Sequence, residues 1–155
     1  MRLTEGVVNF FQGQGYVIVS TIDKKGFPHN ACKGIVEIDR EGAIYLFDLY
    51  KGLTFANLSD NPRISITAVD EHKFIGYSLK GKARLVFKKE MKESLIKSWE
   101  DRIAGRLTSR VIRNMREEKG HPHHPEALLP RPEYLIQMQA EEVIDLTPGH
   151  IKGER

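Results

Sequence analysis

The sequence is poor in the residue that builds disulfide frameworks: it has one cysteine among 155 residues. With Cys32 alone, no internal disulfide can form, and the chain suits a reducing cytoplasm. No apolar run approaches the roughly 18 residues that a membrane helix needs, so no membrane association is expected. The opening MRLTEGVVNFF reaches a glutamate at position 5 without an apolar leader core, so no secretory signal is expected. There is also no internal repeat and no low-complexity linker. Apolar residues at 40% and charged residues at 29% describe a chain that can bury a core.

No sign of charge dominates either. Lys and Arg number 24 against 21 Asp and Glu, a formal net charge of +3. The excess is local. Between Arg84 and Lys119 there are 11 basic and 6 acidic residues, a net of +5, and the remainder is slightly acidic. Such a distribution does not describe a nucleic-acid-binding surface spread over the molecule.

What is present has the pattern of a small α+β protein. Residues 4–14 space Val7, Val8, Phe10 and Phe11 along one helical face, with Thr4 as N-cap. Residues 16–23, 27–39 and 43–49 then read as three strands joined by the turns Asp23–Gly26 and Arg40–Gly42. Residues 52–60 read as a short helix stopped by Asn61-Pro62. Residues 63–70 alternate Ile64, Ile66 and Ala68 with polar neighbours, and residues 74–87 form a longer strand whose Gly76 and Gly81 suggest bulges. From 88 to 119 the period changes. Met91, Leu95, Trp99, Ile103, Leu107, Val111 and Met115 recur every four residues, the mark of a long helix that Gly105 could break. Residues 120–132 carry four prolines and three histidines and read as a loop. Residues 134–146 are a last strand, and 148–155 a loose tail. The expectation is a single domain over residues 1–147, an antiparallel six-stranded split β-barrel with flanking helices.

The order of these signals resembles the flavin-binding split barrel of the pyridoxamine 5'-phosphate oxidase-like family. Three blocks carry the resemblance: GYVIVSTIDKKGFPH at 15–29, IYLFDLYKGLTFANLSDNPRISI at 44–66, and GYSLKGKARLV at 76–86. The resemblance implies a homodimer holding flavin mononucleotide (FMN) between two barrels, with a small-molecule electron donor and acceptor. It places Asn30, Ala31, Cys32 and Lys33 beside the flavin ring, and Asp48 and Leu49 beside the ribityl chain. Lys51 and Thr54, with Lys33 reaching in, would meet the phosphate. The family's usual phosphate lysine is absent from the trio Gly52, Leu53 and Thr54. The arginine-and-histidine motif with which true pyridoxamine-phosphate oxidases grip their substrate is also absent, so the oxidase assignment itself does not follow. No residue reads as an obligatory acid, base or nucleophile, which flavin reduction does not need.

Several residues have plainer readings beside these. Cys32 reads first as a small buried apolar side chain. Arg102, Arg106, Arg110 and Arg113 form a stripe at three- and four-residue spacing, read first as a solvated helix face. Trp99 reads as core or interface packing. His121, His123 and His124 have no supporting cluster, so no metal site is expected. The alternative to a flavin oxidoreductase is a non-catalytic split barrel that stores or senses haem, a deazaflavin or flavin, with His29, His72 or the 121–124 histidines near a haem iron.

Overall fold

The computed structural model describes residues 1–116 and 132–152. The chain starts with α1 (Glu5–Gln12), whose Val7, Val8 and Phe11 are buried and whose first turn is capped by the Thr4 hydroxyl, which accepts from the Val7 N–H. Strands β1 (Val17–Ile22), β2 (Pro28–Lys33), β3 (Ile35–Ile38) and β4 (Ala43–Phe47) follow. Helix α2 (Leu53–Asp60) leads into β5 (Arg63–Asp70) and β6 (Ile75–Phe87). A 3-10 turn, Lys88–Glu90, precedes α3 (Glu93–Met115), and the chain closes with β7 (Tyr134–Asp145) and the short α4 (Gly149–Lys152).

Among the described residues the sheet has seven strands rather than the six expected, in the order β2-β1-β5-β6-β7-β4-β3. The segment 27–39 read as one strand is two, divided at Gly34. β2 and β3 therefore lie at opposite edges of the sheet with one residue between them. That connection is possible only if the sheet curls until its edges approach, which is the geometry of a split barrel. Gly34 permits the sharp passage. A Cβ on it would fall 2.8 Å from Phe47 Cδ2 and 2.9 Å from Arg106 Nη2.

Curling creates an inside and an outside. Inside, Val17, Val19, Ile35, Ile44, Leu46, Ile64, Ile66, Leu79, Ile136 and Met138 pack with Phe11 of α1. Outside, α3 covers β3, β4 and β7, and Leu95, Trp99 and Ile103 pack on Val36, Phe47 and Leu135. Both faces of this part of the sheet are thus buried, which explains its unbroken apolar stretches. The apolar stripe of α3 is buried only in its first half: Leu107, Val111 and Met115 are exposed. Gly105 does not break the helix, which also begins later than residue 88. The expected 120–132 loop lies outside the described residues apart from Pro132, and part of the expected loose tail is the helical turn α4.

Two outcomes test this packing. Trp99→Ala removes the largest side chain of the outer core, and urea unfolding should show a loss of about 3–5 kcal/mol. Trp99→Phe should cost much less, because the buried Trp99 Nε1 has no hydrogen-bond partner to lose. Gly81 sits at the register shift between β6 and β7, where a Cβ would overlap the Gln139 carbonyl oxygen. Gly81→Ala should lower the melting temperature while the surface substitution Lys82→Ala does not.

Candidate functional site

The site grows from the free edge of the sheet. Among the described residues β2 pairs with β1 alone, so alternate N–H and C=O groups of Pro28–Lys33 point away from the described strands. None of its residues is fully buried. Period-two alternation divides it between two faces. Ala31 and Lys33 stand opposite the inward residues Val19 and Val17, whereas Asn30 and Cys32 stand opposite Ser20 and Ile18 on the outer face. Asn30 Oδ1 accepts the Ser20 hydroxyl at 2.6 Å. Cys32 is exposed, which corrects the reading of it as a buried apolar side chain: it lies on the outer face of a strand at the edge of the sheet.

At its end β2 meets the residues that follow β4. The Lys33 ammonium donates to Asp48 Oδ1 at 2.5 Å, and the Tyr134 hydroxyl donates to Asp48 Oδ2 at 2.6 Å. The carboxylate side chain is 1% exposed and that of Lys33 15%. Both oxygens of the buried acid are therefore occupied by strong donors, which is what keeps such burial tolerable. Burial, then the bond to Asp48, raises the Tyr134 hydroxyl well above the usual phenol range.

The cluster extends by aromatic contact. The Phe55 ring meets Tyr134 edge-on, with centroids 5.1 Å apart, and Lys51 Nζ lies 5.7 Å from the Phe55 centroid. Lys33, Asp48, Tyr134, Phe55 and Lys51 thus form one continuous strip. Helix α2 is anchored beneath it: Asn57 Nδ2 donates to the Thr21 hydroxyl at 3.0 Å, a buried bond to β1. The N-cap of α2 is Gly52, which has no side chain to satisfy the first-turn N–H groups.

The eight residues singled out in the sequence fall unevenly on this frame. Lys33 and Asp48 touch, and Lys51 is exposed nearby. Leu49 is half-buried after β4, and Thr54 is buried at 3% exposure. A separate groove of about 310 Å³ is lined by Gln14, Gly15, Tyr16, Ile18, Thr67, Ala68 and Val69 and contains none of the eight. Cys32 is the residue closest to it in register, through Ile18. Two sets of residues were missed. In the sequence Tyr134 shows only as the start of a strand. The arginine stripe is not simply a solvated face: Arg102 donates to the Gln12 carbonyl at 2.9 Å and Arg106 donates to the Gly15 carbonyl. These bonds tie α3 to the segment joining α1 to β1. The signal available was the position of both arginines beside the apolar stripe. Among the described residues no group of three His, Cys, Asp or Glu side chains could hold a metal ion. His121, His123 and His124 lie outside the described residues.

A sequence profile described as pyridoxamine 5'-phosphate oxidase matches residues 3–144. The chain belongs to the pyridoxamine 5'-phosphate oxidase family. Solved structures agree in fold. HupZ of Group A Streptococcus superposes with a TM-score of 0.65 at 18% identity, over 95% of this chain and 96% of that one. A Clostridium acetobutylicum protein related to general stress protein 26, of the pyridoxinephosphate oxidase family, gives 0.61 at 19% identity, over 96% and 99%. HutZ, the haem storage protein of Vibrio cholerae, gives 0.53 at 20% identity, over 93% and 94%. No curated protein sequence matches the chain. The resemblance read from the three sequence blocks is thereby borne out at the level of family and fold. No helix among the described residues is long and apolar enough to cross a membrane.

The family's flavin can be tested against these residues. The open first turn of α2 and the exposed Lys51 suit a phosphate, and the unpaired edge of β2 offers backbone N–H and C=O groups to a flavin ring. Lys33 does not stand free for the phosphate, because Asp48 holds it. The donor set fits FMN with fewer charged contacts than the sequence suggested.

Tyr134 generates a prediction. Its folded-state value is raised, so the folded protein keeps the phenolic proton where the unfolded chain releases it. That stabilisation is complete below about pH 10 and is lost as pH climbs beyond it. Urea unfolding between pH 9 and 11.5 should therefore show a falling stability whose slope is reduced in Tyr134→Phe. Lys33→Met leaves the buried Asp48 carboxylate without a cation and should cost about 3 kcal/mol or more at neutral pH.

Proposed function

We propose that this protein is an FMN-binding oxidoreductase that works as a homodimer, with a small-molecule electron donor and acceptor. The observation that carries the reading is the juxtaposition of an unpaired, accessible edge strand with a helix start that has no side-chain cap and a lysine beside it. The β2 edge, from Asn30 to Lys33, would hold the ring through backbone groups. Asp48 and Leu49 would lie along the ribityl chain. Lys51 and the N–H groups of the first turn of α2 would hold the phosphate. Thr54, which is buried, contributes here by its backbone. FMN supplies a carrier for hydride or electrons between donor and acceptor. The chain's own part is to bind, orient and shield, and no side chain has to move a proton.

The second reading, storage or sensing of haem, a deazaflavin or flavin without catalysis, is favoured by the neutralisation of Lys33 and by fold similarity to the haem storage protein HutZ. His29 is half-buried on β2 and His72 is exposed after β5. Either could approach a haem iron.

The visible spectrum of the purified protein, with and without added FMN, separates the two. The oxidoreductase reading expects flavin bands that bleach with a nicotinamide donor. A Soret band after addition of haemin, with no uptake of FMN, would replace it with the second reading. Lys51→Glu should weaken FMN binding by about tenfold or more in a fluorescence titration at low salt, with little change in melting temperature, since Lys51 is exposed.

A further inference from the structure

Lys33 and Lys51 flank the strip at the end of β2, and of the two only Lys33 is paired with a carboxylate among the described residues. The Lys33 ammonium lies 2.5 Å from Asp48 Oδ1. The two partners are unequally held. Asp48 is nearly fully buried and its second oxygen is fixed by the Tyr134 hydroxyl at 2.6 Å. Tyr134 is itself buried and wedged against Phe55. Lys33 stands at the end of an edge strand, and its side chain retains 15% exposure. The carboxylate is therefore the stationary member of the pair, and the lysine, on a flexible four-carbon stem, is the member that can turn toward a ligand.

We propose that Asp48 sets how strongly this site holds a phosphorylated ligand, by competing with the ligand's phosphate for Lys33. The inference rests on the flavin reading and adds to it a residue that limits affinity and selects against anionic ligands. A neutral ligand of the same shape does not need Lys33 and is indifferent to the competition. A phosphorylated one, held by Lys51 and the first turn of α2, gains a second cation only by sharing Lys33 with Asp48 or drawing it away, and leaving the buried carboxylate without its cation is costly. Two consequences follow from the geometry. Removing the charge of Asp48 strengthens binding of the phosphorylated ligand alone. The gain passes through Lys33 and disappears with it.

The test is a fluorescence titration with two probes, FMN and riboflavin, which differ only in the phosphate. The proteins are the wild type, Asp48→Asn, Lys33→Met and the double variant. Asp48→Asn keeps the shape of the side chain and an oxygen that can accept from Tyr134, and Asp48→Ser is the second variant should the first melt below the assay temperature. The expected result is FMN affinity about tenfold tighter in Asp48→Asn, with riboflavin affinity unchanged and no gain in the double variant relative to Lys33→Met. An equal gain for riboflavin, a gain that persists without Lys33, or no gain at all overturns the proposal while leaving the flavin reading in place. A wild type and variants that bind neither flavin overturn both.

Discussion

Gly34 alone separates the two edge strands of a seven-stranded sheet, and most of the architecture follows from that short connection. One residue spans less than about 4 Å, so β2 and β3 cannot be the far ends of a flat sheet. The sheet curls, its inward side chains meet, and its outward face near β3 and β4 needs a separate cover. Helix α3 supplies that cover with Leu95, Trp99 and Ile103. Arg106, stacked 5.7 Å from the centre of the Phe47 ring and bonded to the Gly15 carbonyl, lies over the same glycine. A side chain at position 34 would collide with both, so the turn, the helix and the arginine are one packing problem.

The same passage from β2 to β3 decides the chemistry of the candidate site. It ends β2 at Lys33 and starts β3 at Ile35, while the chain leaving β4 reaches Asp48 beside them. A carboxylate that deep is tolerable only with both oxygens satisfied, and Lys33 and Tyr134 satisfy them. The charge expected to face a ligand phosphate is spent inside the protein. The cationic character of the strip then rests on Lys51 and on the uncapped amides of α2. Membership of the pyridoxamine 5'-phosphate oxidase family accounts for the frame.

The positive segment of the sequence also changes meaning in the folded protein. Arg102 and Arg106 are half-buried and anchor α3 to backbone carbonyls at 12 and 15, so part of the local excess is structural. The exposed Leu107, Val111 and Met115 mark where the helix runs past the body it covers.

Much of the frame was legible beforehand because it is written in local periodicity. Alternation at Ile64, Ile66 and Ala68 set a half-buried strand, four-residue steps at Leu95, Trp99 and Ile103 set a helix, and Asn61-Pro62 set a stop. The ordered blocks at 15–29, 44–66 and 76–86 were enough to indicate the family. What periodicity could not reveal was anything that depends on distance across the sheet. The division at Gly34 was hidden because both of its flanks are extended. The exposure of Cys32 followed from β2 being an edge, which is a property of strand order. The meeting of Lys33, Asp48 and Tyr134 joins residues 15 and 86 positions apart, and only the curl of the sheet brings them within hydrogen-bond range. Local spacing therefore determined the elements and their family, and tertiary structure decided which charges remain available, because a buried carboxylate takes its partners from whatever the fold places beside it.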